Sequence, residues 1–143
     1  MSDLNTTIAS LESIIETQLP NKTKMHNPYD FQDNSEAFLR DGYGVLVGSG
    51  VEAPLQEFNT SFDDVLIGVV LTKEFYAQDH DTEGVNTVIG NLYEETRTLR
   101  IELLKQFPTG VVKVDYSDTT GVAVQGKIAS LTVNFIMTFI NTF

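Results

Sequence analysis

FDDVLIGVVLTKEFY, residues 62–76, is the stretch that decides the fold. Its middle, Val65–Leu71, is apolar at both odd and even positions, so a strand here needs cover on both faces. Lys73 and Glu74 mark the point where the chain returns to solvent. The stretch therefore predicts a central β-strand, and its apolar run is far shorter than the ~20 residues that a membrane helix needs.

The segment that follows, residues 83–107, predicts the main helix. Asp81 or Thr82 can cap its start, and Pro108 and Gly110 end it. Apolar residues recur along it at the helical period, at Val85, Val88, Ile89, Leu92, Leu99, Leu103 and Phe107. We expect this stripe to pack on the central strand.

Upstream, residues 3–19 predict an amphipathic helix that Pro20 ends. Its apolar face comprises Leu4, Ile8, Leu11, Ile15 and Leu19. Residues 20–33 are loop-like, and Glu36–Leu39 predicts a short helical turn closed by Gly42 as a C-terminal cap. Tyr43–Val47 predicts a short strand closed by the glycines 48 and 50, and residues 50–61 predict an irregular loop arm.

The chain ends in predicted strands over residues 111–140. Val111–Tyr116 is the first of them, and Ser117–Gly121 has the composition of a turn. A long alternating strand follows, with one face formed by Leu131, Val133, Phe135, Met137 and Phe139. Together these elements predict a single α+β domain over residues 1–143, with a mixed or antiparallel four-stranded sheet and two main helices packed on it.

Composition limits the function. The net charge is −11, and the nine basic residues are scattered, whereas proteins that track nucleic acid need clustered Lys and Arg. The chain has no cysteine, which excludes disulfides and thiolate chemistry. Met1-Ser2-Asp3 is unlike the basic start of a signal peptide. We expect a soluble protein that does not associate with membranes.

Residues with catalytic potential are few. His80 lies in Asp79-His80-Asp81-Thr82-Glu83, which is either a weak ion site or, as we favour, a solvated turn that caps the main helix. Val47-Gly48-Ser49-Gly50-Val51 only superficially resembles a nucleophile elbow, because it lacks the glycine two residues after the serine. Glu94 and Glu95 are best explained as helical ion pairs with arginines such as Arg97. We therefore predict no catalytic residue, no cofactor and no metal site.

Two features indicate assembly. Ile136 and Ile140 stand among threonines on the terminal strand, where they either face a neighbouring subunit or pack under helix 3–19. The segment 51–58 is polar overall yet carries Leu55 and Phe58, which suits either an arm that docks on another subunit or an Ω-loop folded on its own domain.

This layout resembles the tail-terminator and neck (head-tail joining) proteins of tailed bacteriophages. The similar stretches are Leu4–Leu19, Phe38–Val45, Val65–Leu71 with helix 83–107, and Leu131–Phe139, and the block Asn27-Pro28-Tyr29 to Gly42-Tyr43-Gly44-Val45 is the most similar part. The resemblance implies a homo-hexameric ring that caps the tail tube, contacts the tube protein and the head-tail connector or adaptor proteins, and lets DNA pass through its lumen without specific recognition. It also implies a location in the virion tail or neck after assembly in the host cytoplasm.

The leading hypothesis is thus a structural virion protein without enzymatic activity. Its predicted subunit contacts are Val51, Leu55, Phe58, Arg97, Arg100, Ile136 and Ile140. Two alternatives stay open. One is a small cellular α+β dimer that binds a ligand or peptide. The other is an enzyme whose site is assembled from His80, Asp81 and Glu94.

Overall fold

The computed structural model describes residues 4–29, 34, 36–54, 60–75, 82–125 and 127–142. In chain order the elements are α1 (Leu4–Gln18), β1 (Thr23–Lys24), α2 (Glu36–Leu39), β2 (Asp41–Pro54), β3 (Thr60–Glu74), α3 (Thr82–Lys105), β4 (Val111–Gln125) and β5 (Ile128–Thr142). The chain is α+β, as predicted. The sheet has five strands rather than four, and the short α2 is a third helix.

The sheet order is β1-β2-β3-β5-β4. All pairings are antiparallel except that of the two-residue β1 with β2, which is parallel and makes the sheet mixed. β3 and β5 pair along their whole length, from Thr60↔Thr142 to Glu74↔Ile128. The apolar stretch at residues 65–71 therefore lies near the middle of the sheet, as predicted.

Both long helices pack on one face of the sheet, where period two places the buried odd-numbered residues of β3 and β5. Ile67, Leu71, Met137 and Phe139 are fully buried there. α1 contributes Leu11 and Ile15 to this core, and α3 contributes Leu92, Leu99 and Leu103. The stripes predicted for the two helices are thus the faces that pack, except that Phe107 lies beyond the end of α3 and is 43% exposed.

Three predictions about strands are wrong. The predicted loop arm 50–61 is strand at both of its ends, since β2 runs to Pro54 and β3 begins at Thr60, with Pro54 opposite Ser61; residues 55–59 lie outside the described residues. β2 passes through the glycine pair with a register shift between Val47 and Gly50, because a bulge accommodates the irregular residues.

The second wrong prediction is the turn at Ser117–Gly121, which lies within β4. β5 offers a partner of full length, and register shifts between Tyr116 and Asp118 and between Thr120 and Ala123 absorb the turn-forming residues. The third is the loop 20–33, which contains β1. A strand of two residues is too short to show the alternation of apolar and polar residues from which a strand is predicted.

Gly42 is not a helix cap. It is the second residue of β2, and a Cβ there would collide with the carbonyl oxygen of Phe38 and lie 2.8 Å from Thr72 Oγ1. Close packing of α2 on the sheet therefore requires glycine at this position. Among the described residues, the glycine with positive φ is Gly110, at 87°, between α3 and β4.

Candidate functional site

The candidate site is a groove of about 490 Å³ between the outer face of α3 and the start of β4. We call it the α3–β4 groove. Its floor is formed by the buried side chains of Thr96, Val114 and Phe135. Its rim consists of exposed or partly exposed side chains, namely Tyr93, Glu94, Arg97, Arg100, Ile101, Leu104 and Tyr116.

Much of this rim is apolar and faces solvent. Leu104 is 69% exposed, and Tyr93 and Ile101 are 47% and 46% exposed. Contiguous exposed apolar surface of this kind usually marks an interaction site. The groove can make apolar contacts, and its two guanidinium groups can donate hydrogen bonds.

The aromatic side of the groove is held in place. The Arg100 guanidinium lies 3.8 Å from the centroid of the Tyr116 ring, a cation–π arrangement. The same ring meets Phe135 edge-on, with centroids 6.3 Å apart, and its hydroxyl is 2.7 Å from Thr119 Oγ1. The aromatic wall of the groove is therefore positioned by contacts within the chain.

The predicted helical ion pair of Glu94 with Arg97 does not occur among the described contacts. Glu95 instead turns to the other side of α3 and pairs with the buried Lys22, at 3.0 Å, and with Lys73, at 3.8 Å. Lys22 Nζ also lies 2.7 Å from Asp41 Oδ1 and donates a 2.9 Å hydrogen bond to the carbonyl of Thr72. Glu95 thus joins α3 to the chain segment after α1. It forms no ion pair with the arginines of the groove.

The structure brings two of the predicted contact residues together. Arg97 and Arg100 are both exposed and both line the α3–β4 groove. Ile136 lies elsewhere: it is half-buried on the sheet face opposite the helices, paired with Leu66, so it does not pack under α1. The backbones of Val51 and Ile140 lie in β2 and β5, opposite Asp64 and Phe62. Leu55 and Phe58 are outside the described residues.

The hypothetical enzyme site is only partly visible. Glu94 lines the groove, whereas His80 and Asp81 lie outside the described residues. The described part of the chain contains no group of three or more His, Asp or Glu side chains arranged to hold a metal ion. Ser49 lies within β2, and not on a sharp strand-to-helix turn.

Sequence reasoning missed Tyr93, Ile101, Leu104 and Tyr116. The signal was present on α3 as a second stripe at spacings of three and four, from Tyr93 through Arg97 and Arg100 to Leu104. This stripe was difficult to recognise because the charged residues that lie among its members indicate a helix face exposed to solvent.

The block Asn27-Pro28-Tyr29 packs against Gly42-Tyr43-Gly44-Val45. Pro28 lies where a Cβ of Gly44 would point, and the Tyr29 hydroxyl accepts a 2.9 Å hydrogen bond from the Val47 amide. Met25 N donates to the carbonyl of Tyr43 at 2.8 Å. These contacts cover part of the outer edge of β2, which an open sheet would otherwise present to other strands.

The chain matches no protein-family model, and no curated protein is significantly similar to it. None of the described helices combines the length and apolar character that crossing a membrane demands.

Proposed function

We propose that this protein is a structural component of tailed bacteriophage virions, a tail-terminator or neck ring that caps the tail tube and joins it to the head connector. It acts by forming a homo-oligomeric ring and not by catalysis. The layout of α1, the β2–β3 hairpin, α3 and the two C-terminal strands supports this proposal, because it follows the order of elements on which the resemblance rests.

The α3–β4 groove is the observation that carries the proposal. A small acidic chain that exposes Leu104, Ile101 and Tyr93 beside two arginines keeps apolar surface in water unless another molecule covers it. A second copy of the chain is the partner that is always present during assembly. A groove that receives a different surface of the neighbour forms a heterologous contact, and such contacts generate rings when the rotation closes.

The acidic surplus supports the same proposal. A ring with a net charge of −11 on every subunit repels the phosphate backbone, so DNA can slide through its lumen without being held. The tail tube protein and the connector or adaptor proteins are the proposed partners at the two ends of the ring.

The native mass of the purified chain tests the proposal, with negative-stain images of the same sample. We expect a hexameric ring, or monomers that form rings when tail tubes are added. A tight dimer that forms no ring with or without tubes would contradict the proposal and favour the dimeric binding module.

A variant pair links the result to the groove. Leu104→Asp places a charge on the apolar rim and should abolish ring formation while leaving the monomer folded, because the residue is largely exposed. Val112→Asp is the matched control, since Val112 is 45% exposed but does not line the groove. Equal loss of rings in both variants would contradict the role of the groove.

A further inference from the structure

The α3–β4 groove combines apolar surface with positive charge. Its rim exposes Leu104 and Ile101 beside the guanidinium groups of Arg97 and Arg100. Glu94 is the one acidic side chain among the described residues that line the groove, and no ion pair joins either arginine to a carboxylate of those residues. The surface that fits this groove therefore carries carboxylates around apolar side chains.

Such a surface lies on the other side of the same sheet. Side chains of β3, β5 and β4 that point away from α1 and α3 form it, and we call it the open sheet face. One row across the three strands is Leu66, Ile136 and Asp115, which are cross-strand partners. The charged members of the neighbouring rows are Asp64, Lys113 and Asp118.

The carboxylates of the open sheet face are held by neutral donors of β5. Thr138 Oγ1 donates a 2.8 Å hydrogen bond to Asp64 Oδ1, and Asn134 Nδ2 donates a 3.0 Å bond to Asp118 Oδ1. A carboxylate has about four acceptor positions, so one such bond leaves others for a guanidinium group. Lys113 pairs with Asp115 at 3.2 Å, and three carboxylates against one ammonium group give the face a net negative charge.

The apolar part of this face is incompletely covered within the chain. α2 lies over one end of it, where Thr72 Oγ1 donates a 2.8 Å hydrogen bond to the Leu39 carbonyl. Further along the strands, Leu66 and Ile136 are only half-buried. The open sheet face thus pairs apolar side chains with carboxylates, as the groove pairs them with guanidinium groups.

We infer that the open sheet face of one copy docks on the α3–β4 groove of the next copy. Leu66 and Ile136 pack against the apolar rim at Leu104, and the carboxylates of the face meet Arg97 and Arg100. This inference rests on the proposed function, because it names the surface that the groove receives in the ring.

The charges favour this contact over a symmetric one. Two copies joined groove to groove would bring guanidinium groups together, and two joined face to face would bring carboxylates together. The groove and the open sheet face lie on opposite sides of the sheet, since Phe135 forms the floor of one and Ile136 belongs to the other. Each copy can therefore bind one neighbour at each surface, as a heterologous ring requires.

Cross-linking tests the contact, because the chain has no cysteine of its own. One sample carries Leu104→Cys in the groove. A second carries Thr120→Cys, an exposed and uncharged position beside Asp118, where Asn134 Nδ2 contacts both side chains. The two samples are mixed and treated with a short bismaleimide, and we expect covalent dimers that contain one chain of each kind.

Two controls define the contact. Leu104→Cys mixed with Thr17→Cys, which is exposed on α1, should give about tenfold less product, because nothing holds these thiols together. Leu104→Cys alone should give equally little, because the groove does not meet a second groove. Equal yields in all samples, or a strong product from Leu104→Cys alone, would overturn the inference.

Charge reversal gives a second readout by native mass. Arg97→Glu or Asp118→Lys alone should lower the fraction of protein in rings about tenfold, because each puts like charges across every contact. An equimolar mixture of the two variants should restore rings in which they alternate, since every contact then joins opposite charges. Lys105→Glu makes the same charge change on α3 without lining the groove and should assemble normally. A mixture that stays monomeric would contradict the pairing.

The outcomes separate the two proposals. Rings without the Leu104–Thr120 cross-link would overturn the docking and leave the ring function standing. Cross-linked chains that grow as open fibres without any ring would confirm the docking and contradict the ring function.

Discussion

Tyr43 shows how a single side chain ties α1 to the sheet. It is fully buried, and its hydroxyl donates a 2.5 Å hydrogen bond to Glu16 Oε1. Burial raises the pKa of the Tyr43 phenol well above its usual value, and the Glu16 carboxylate raises it further. The neutral phenol is thus favoured in the folded state, which makes stability depend on pH in the alkaline range.

We expect the contribution of Tyr43 to be constant below the pKa of the unfolded chain, 10.0, and to be lost as the pH rises above it. The unfolded chain releases the proton there, whereas the folded chain retains it, so unfolding becomes more favourable. Tyr43→Phe should flatten the fall in the free energy of unfolding above this pH. Tyr93→Phe, at an exposed site, is the control and should leave the slope unchanged. Urea unfolding at a series of pH values measures both, and equal slopes would contradict the prediction.

Lys22 is the second residue with an individual role. Its side chain is 1% exposed, and it forms ion pairs with both Asp41 and Glu95. Lys22→Met keeps the aliphatic stem but removes the cation that pairs with Asp41, and it leaves Glu95 with the more distant Lys73, at 3.8 Å. We expect a loss of about 2–3 kcal/mol, since both carboxylates retain some solvent. Thermal unfolding measures it.

Lys24→Met is the matched control for Lys22. Lys24 pairs with Glu12, but its side chain is 60% exposed, so its removal should change stability by less than about 1 kcal/mol. Similar losses in the two variants would show that the buried cluster is no more important than a surface pair.

At the scale of elements, α3 carries both the core and the groove. Leu92, Leu99 and Leu103 face the sheet, while Tyr93, Arg97 and Leu104 face solvent. Gly90 lies on the exposed side of this helix, and a Cβ there would meet no atom within 4 Å. Gly90 therefore adds conformational freedom to the unfolded chain, although its small size is not required for packing in the helix.

Gly90→Ala should stabilise the protein by about 0.5–1 kcal/mol, because alanine restricts the unfolded chain and creates no clash in the helix. Gly44→Ala is the contrasting variant. Its Cβ would collide with Pro28, and we expect a loss of about 1–3 kcal/mol. Chemical denaturation of both variants is the measurement, and a loss of stability in Gly90→Ala would contradict this account of α3.

Helices and strands differ in how well the sequence predicts their bounds. Helix boundaries were predicted to within two residues, since period 3.6 and the ending prolines are local signals. Strand lengths in β2 and β4 were underestimated, because glycine, serine and threonine clusters that usually indicate turns are carried here as bulges against a long partner. Pairing with a distant strand is information that local composition does not contain.

The candidate site could be predicted only in part, because it too depends on the pairing of distant strands. Arg97 and Arg100 were selected from α3 alone, and the structure places both at the groove. Tyr116, Val114 and Phe135 join them only because β4 and β5 pair next to the helix. No spacing in the sequence relates residues 97 and 116.

At the scale of the whole molecule, the charge distribution bears on the proposed passage of DNA through the ring. Arg97 and Arg100 both line the α3–β4 groove, and a subunit contact at this groove would cover them in the proposed ring. The free chain should therefore bind duplex DNA at most weakly at low salt, and the assembled ring should bind it less still.

Retention of labelled duplex DNA by monomer and ring fractions measures this difference. In the monomer, Arg97→Glu should remove most of the weak binding, because fewer phosphate contacts remain. In rings the duplex should not be retained at low or high salt, since the guanidinium groups are covered and the net charge of −11 per subunit repels phosphate. Rings that hold DNA more tightly than monomers, with an affinity that falls as salt rises, would show a basic lumen and contradict the sliding role of the acidic surplus.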